Sequence, residues 1–162
     1  MVKEFIPDYD WKDWMFKAAP NAFWGSVENR RQYMEWLGKK IGYKKSEDWY
    51  QISAALMQKN YGGSYLVKIG NSPIAAIKEF LPDYDWKEWL FKGTPKHFWS
   101  VPENRKQYMS WLGKKIGYKK REDWYQISAA LIQKNYGHRL LPFVEDSPVV
   151  AVKEFIPDYD WK

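Results

Sequence analysis

The sequence predicts an all-α protein, a tandem repeat of two helical modules of roughly 75 residues each, and three observations carry that prediction. Residues 3–77 align with residues 78–152 without a gap, and about two thirds of the positions are identical. Apolar residues recur at helical spacing, whereas no stretch alternates as a half-buried strand does and no Asn-Gly hairpin turn occurs. Proline, glycine and serine punctuate the chain often enough to leave only short helices, about five in each repeat.

A third copy starts at Lys153 with KEFIPDYDWK and reaches Lys162, and the same ten residues stand at 3–12. The expected division is therefore a trailing end of a preceding repeat at 1–12, a first module at 13–87 and a second at 88–162, as in a piece of a longer array. Hydrophobic residues make up 45% of the chain and aromatic residues 19%, with eleven tryptophans falling as five per repeat and one in the trailing copy. Large aromatics let a short module build a core without the disulfides or metals that small domains often need. The chain has no cysteine, which excludes a disulfide framework, a thiol nucleophile and a thiolate metal site. Cysteine usage leaves the compartment open, with an intracellular one favoured over secretion. No apolar run reaches membrane-spanning length and the first residues are charged, so no membrane partner is expected.

Taken in order, EFIPDYDWKDWMF begins with a hydrophobic helix tail that Pro7 ends, because proline disfavours helical geometry in the residue before it. Asp10 is expected to cap a short helix holding Trp11, Trp14 and Met15, and Pro20 breaks the chain again. The pairs Asp8/Asp10, Asp83/Asp85 and Asp158/Asp160 have a D-x-D spacing, but no further acid or histidine cluster accompanies them, which favours capping over metal binding. The first long helix starts near Ser26 or Val27 and runs through ENRRQYMEWLGKKI. In the second copy Pro102 suits its first position and Glu103 its positive end. Tyr33, Leu37 and Ile41, with Met34 beside them, form its inward face, and Gly42 closes it. The next helix opens at Ser46 with Glu47 and Asp48 in its first turn; Arg121 stands in place of Ser46 in the second copy. Ser53 then caps AALMQKN, which Gly62 ends. After a divergent stretch, Ser72-Pro73 and Ser147-Pro148 open a last helix that stops before Pro82 and Pro157.

These late helices, joined by glycine-containing turns, suit a helix-turn-helix-like trihelical unit. The run from Ser53 through a glycine, an aromatic or aliphatic pair and a Ser-Pro-x-Ala-Ala helix resembles the small helical DNA-binding repeats that accompany homing endonucleases. The resemblance covers the last third of each module and implies nucleic-acid binding. Between the copies, GSYLVKIGN diverges from HRLLPFVED, so Ser64, Tyr65, Lys68, His138 and Arg139 are the candidates for setting sequence preference.

Catalytic chemistry is poorly supplied. His97 and His138 face Ala22 and Gly63 in the first copy, so a histidine acid, base or ligand would be absent from half of a near-duplicate. No serine sits in a nucleophile elbow and no glycine run forms a phosphate loop. Glu47 and Asp48, like Glu122 and Asp123, are placed as first-turn helix residues. No catalytic residue, metal or cofactor is expected, and an enzyme is the least supported class.

The charge pattern carries the positive indication. The net charge is +6, and its lysines gather in an elbow between two helices: Lys39, Lys40, Lys44 and Lys45, then Lys114, Lys115, Lys119, Lys120 and Arg121. Arg30, Arg31, Arg105 and Lys106 lie at the other end of the first long helix. Neighbouring cations on one polyphosphate release several counterions together, which points to nucleic acid. Tyr43 and Tyr118, set between the lysine pairs, either stack on bases or cover the core. Trp24, Trp36 and Trp49 are expected in the core. The resulting expectation is a non-enzymatic tandem-repeat protein whose elbows contact phosphate, with DNA slightly preferred over RNA. Its rival is a repeat scaffold for multivalent protein–protein interaction, in which the lysines only solvate the surface; a glycan-binding aromatic face is a third reading. Buried tryptophans with exposed lysines favour nucleic acid, and an exposed Trp/Phe patch favours protein or glycan.

Overall fold

Side-chain caps and prolines set most helix boundaries in the computed structural model, which describes residues 9–16 and 21–162. Helix α1 is Val27–Ile41; Ser26 Oγ accepts the Asn29 N–H at 3.3 Å at its start, and Gly42 ends it in the left-handed region at φ 83°. Helix α2 is Ala54–Lys59, with Ser53 Oγ accepting the Leu56 N–H at 3.1 Å. Helix α3, Gly63–Lys68, follows, and then α4, Pro73–Phe80, whose first residue is the proline and whose cap is Ser72. Helices α5 (Pro102–Ile116), α6 (Ala129–Lys134) and α7 (Pro148–Phe155) repeat α1, α2 and α4 at a shift of 75 positions. Short 3-10 helices join them, among them Ser46–Gln51 and Arg121–Gln126. Every regular element among the described residues is helical. The helix tail expected before Pro7 and the break at Pro20 lie outside the described residues.

The chain divides into two compact units, residues 1–93 and 94–162. In the first, α1 buries Tyr33, Met34 and Leu37 as its spacing requires. Trp24 stacks on Tyr65 with ring centroids 5.2 Å apart, and Tyr33 meets Trp24 edge-on at 5.3 Å and Trp14 at 5.6 Å. Aromatic pairs in these offset and edge-on arrangements stabilise a small core beyond the area they bury. The Tyr33 hydroxyl donates to the Asn60 carbonyl at 2.8 Å, so the polar end of a fully buried ring is satisfied. In the second unit Tyr108 makes the same bond to Asn135 O, also at 2.8 Å, and meets Trp99 edge-on at 5.2 Å.

Several local expectations need correction. Asp10 caps no helix: the 3-10 helix is Asp13–Met15, and no side chain caps it. A tight turn from Tyr9 O to Trp11 N, 3.0 Å, places Asp10 at its centre, where it pairs with Lys12 Nζ at 2.7 Å. Asp85–Lys87 and Asp160–Lys162 repeat the pair at 2.8 Å. The next helix does open at Ser46, and Asp48 caps it from inside the turn. Gly62 is not the left-handed residue after α2; Tyr61 is, at φ 68°, as is Tyr136 at φ 69° in the second copy. Glycine is required at 62 for space, because a Cβ there would stand 2.4 Å from Tyr33 Oη.

The divergent segment folds differently in the two copies. The run α2–α3–α4 supplies three successive helices in the first unit. In the second, Pro142 falls where α3 has Val67, a helix-interior position that proline cannot hold, and the segment is the 3-10 helix Leu141–Val144. Both versions then turn through two left-handed residues, Gly70 and Asn71 or Glu145 and Asp146.

Candidate nucleic-acid interface

The elbow is built from the end of α1 backwards. Lys39 and Lys40 occupy its last turn, where cations favour the exposed carbonyl end of the helix. Gly42 reverses the chain, and Tyr43 N–H returns to the Gly38 carbonyl at 2.8 Å. Lys44 and Lys45 then run extended into the Ser46–Gln51 helix, and their backbone N–H groups both donate to Asp48 Oδ2, at 2.8 and 2.9 Å. Those two bonds hold the Asp48 carboxyl below the usual carboxylate range. The second copy repeats this bonding: Tyr118 N–H to Gly113 O at 2.8 Å, and Lys119 and Lys120 N–H to Asp123 Oδ2 at 2.8 and 2.9 Å. Each aspartate thus fixes the backbone of two lysines while their side chains stay in solvent.

Close packing beneath the elbow explains its fixed shape. Trp49 lies so near α1 that a Cβ on Gly38 would be 2.8 Å from Trp49 Cζ2; the corresponding Gly113–Trp124 distance is 2.7 Å. Tyr43 meets Trp49 edge-on at 4.9 Å, and Tyr118 meets Trp124 likewise at 4.9 Å. These tyrosines are half-buried lids on the core rather than free stacking platforms, and burial pushes both phenols up.

The basic residues of the sequence divide into occupied and available groups. Arg30 makes a fork-on-fork pair with Glu79 at 2.7 and 3.0 Å, and Arg105 pairs in the same way with Glu154 at 2.8 and 2.7 Å. Arg31 is bracketed by Glu28 and Glu35 on its own helix. Their charge is neutralised locally, so these arginines do not extend the basic surface. Lys44, Lys45, Lys119 and Lys120 are exposed and, among the described residues, have no carboxylate within ion-pair distance. Lys39 borders another environment, an open cleft of about 400 Å³ that it shares with Asp10, Lys12, Asp13 and Glu35, a lining of mixed charge. Lys114, its counterpart, is exposed.

Lys40 Nζ lies 5.1 Å from the Trp36 ring centre and 5.7 Å from that of Tyr61; Lys115 lies 5.0 Å from Trp111 and 5.3 Å from Tyr136. Tyr61 and Tyr136 are about half exposed, at 48% and 51%, which leaves a ring face beside a cation in each copy. Sequence reasoning missed both. Their signal was a left-handed position filled by tyrosine, which only the backbone reveals. Trp36 is half-buried rather than fully in the core, whereas Trp24 and Trp49 are 3% and 5% exposed. Arg121 adds charge to the second elbow but lies over the Tyr159 ring at 5.9 Å.

The candidates for sequence preference scatter. Ser64 and Lys68 are exposed on α3, and His138 is exposed after α6. Arg139 is exposed but donates to the Thr94 carbonyl at 2.8 Å. Tyr65 is fully buried against Trp24, so it is a core residue and no base-reading group. Among the described residues no three His, Cys, Asp or Glu side chains converge as a metal site, and no helix is long and apolar enough to cross a membrane. No family model, curated protein or solved structure matches the chain.

Proposed function

We propose that the chain binds nucleic acid through its two lysine elbows, without acting on it as an enzyme, and that the two sequence copies serve as tandem binding modules. One observation supports this above the rest: four lysines whose backbone is pinned by Asp48 and Asp123 are exposed, with no carboxylate within ion-pair distance of their ammonium groups among the described residues, while the arginines at the other end of α1 and α5 are neutralised. An ordered backbone that carries exposed cations lowers the ordering cost of gripping a polyanion. Tyr61 and Tyr136, each beside a lysine, add an aromatic face on which a base can stack. The tryptophans are buried or half-buried among the described residues, which supports nucleic acid over a protein- or glycan-binding aromatic patch. Duplex DNA is preferred over RNA because α2, α3 and α4 follow one another as short helices with tight turns, as in helix-turn-helix proteins.

Titrating the chain with duplex DNA, single-stranded DNA and RNA at two salt concentrations tests the reading. Binding that weakens steeply with salt and is tightest for the duplex is the expected result. No binding to any of the three at low salt would overturn it.

A further inference from the structure

Each copy holds a tyrosine where the backbone disfavours one. Tyr61, just past α2, and Tyr136, just past α6, stand in the left-handed region at φ 68° and 69°. That region suits glycine and asparagine, and a bulky side chain there is uncommon. Both chain neighbours are held in place. Asn60 is 6% exposed and its side-chain amide donates to Leu56 O at 2.8 Å; Asn135, 7% exposed, donates to Leu131 O at 2.8 Å. Gly62 N–H returns to Met57 O at 2.7 Å and Gly137 N–H to Ile132 O at 2.9 Å. A Cβ at either glycine would stand 2.4 Å from a buried hydroxyl, that of Tyr33 or Tyr108, so the turn is pressed onto the core. Two aromatic rings are thus carried outward on a fixed backbone, each about half exposed.

Each ring shares a cation with a tryptophan. In both copies the tryptophan is the nearer ring to the lysine, at 5.1 Å from Lys40 and 5.0 Å from Lys115, against 5.7 and 5.3 Å for the tyrosine. Cover for the lysine therefore does not account for a tyrosine in a strained position. Lys40 and Lys115 are exposed in the last turns of α1 and α5, where the elbows begin, and among the described residues no carboxylate stands within ion-pair distance of either. An ammonium beside an exposed ring matches a single nucleotide, whose base covers the ring while its phosphate meets the cation. In an unbroken duplex the faces of each internal base are covered by its neighbours. Such a ring meets only a base that has left the stack.

We propose that Tyr61 and Tyr136 each take an unpaired base, so that the chain prefers a duplex interrupted by an extrahelical base to an unbroken one. The inference rests on the elbow reading above: the lysines hold the flanking phosphates, and the tyrosine supplies a contact that a smooth duplex cannot make. A base already outside the stack needs no unpairing energy before it docks.

Fluorescence anisotropy of the full chain with three labelled duplexes is the test. One duplex is unbroken, one carries a single unpaired adenine, and one has an abasic residue at that place, which interrupts the stack but offers no base. The adenine bulge is expected to bind at least about fivefold more tightly than either of the others, the low end of what one stacked base contributes. Tyr61→Asn combined with Tyr136→Asn suits the left-handed backbone and removes both rings, and the preference for the adenine bulge over the abasic one is expected to disappear. Tyr61→Phe combined with Tyr136→Phe keeps the rings and is expected to keep the preference. Equal affinity of the parent chain for all three duplexes, or a preference that survives in the asparagine variant, would overturn this inference and leave the elbow reading standing. Tighter binding to the adenine-containing strand alone than to the bulged duplex would also overturn it, since the substrate would then be a single strand. No binding to any of the duplexes would overturn both readings.

Discussion

Replacing Gly113 by alanine tests the packing that shapes the second elbow. In an open helix the change would stabilise, because alanine is favoured over glycine by about 1 kcal/mol in a helix interior. At Gly113 the new Cβ would stand 2.7 Å from Trp124 Cζ2 and 3.3 Å from Cη2. Trp124 is only 6% exposed, so the indole has little room to withdraw. Overpacking of this kind costs about 1–3 kcal/mol, and an approach far inside van der Waals range against a rigid ring belongs in the upper half. The net expectation is a loss of about 1–2 kcal/mol, or roughly 4–16 °C in melting temperature for a unit of this size. Thermal unfolding followed by tryptophan fluorescence and near-UV circular dichroism would show it. Gly63→Ala is the control, since a Cβ there meets nothing within 4 Å and is expected to stabilise by about 0.4–1 kcal/mol. If Gly113→Ala stabilised the protein as Gly63→Ala does, the account of the elbow as a turn pressed onto α5 would be wrong.

Tyr33→Phe removes a hydrogen bond to Asn60 O and is expected to cost about 0.5–1.5 kcal/mol in a denaturant titration. Asp123→Ala frees the Lys119 and Lys120 N–H groups and is expected to lower the melting temperature and broaden their amide resonances. The Arg105 guanidinium, hydrogen-bonded to Glu154, holds that carboxyl below the usual range and is itself raised. Because the folded-state value is depressed, this stabilisation is present above the ordinary glutamate range near pH 4.3 and is lost as pH falls through the folded value below it. Glu154→Gln is therefore expected to lower stability at pH 7 by about 1–2 kcal/mol and to flatten the loss in acid, read from melts between pH 2 and pH 7.

Much of this architecture was legible in the residues. Ser26, Ser53 and Ser72 mark helix starts because a hydroxyl at that place accepts a specific amide, and Pro102 and Pro148 mark them because the first helical turn tolerates proline. Tyr33, Met34 and Leu37 announced the inward face of α1 by spacing alone. The turns were harder. Asp10 and Asp48 look alike as aspartates near a helix start, yet one bridges to a lysine two residues on and the other draws in two amides behind it. Such differences depend on backbone angles that no local composition dictates. Gly62 misled because glycine suggests a left-handed residue, whereas here it makes room for the Tyr33 hydroxyl across 29 positions of chain.

The elbow's lysines were visible as a cluster, but their availability was not. Arg30 and Arg105 look as basic as Lys44 in sequence, and only the fold brings Glu79 and Glu154 to them from 49 residues away. Tyr65 shows the reverse error, a divergent residue read as surface that is needed against Trp24. Tyr61 and Tyr136 entered the site because their side chains are carried outward beside Lys40 and Lys115.

The most direct test of the proposed function is the salt dependence of duplex binding by the chain in which Lys44, Lys45, Lys119 and Lys120 are all changed to alanine. Exposed lysines without ion pairs contribute little to stability, so the variant is expected to melt within a few degrees of the parent. If the four side chains neutralise phosphates, affinity falls and the slope of log K against log salt becomes shallower by about 0.9 for each phosphate that is no longer neutralised. An unchanged affinity and an unchanged slope in a folded variant would contradict the account and leave the lysines as a solvated surface.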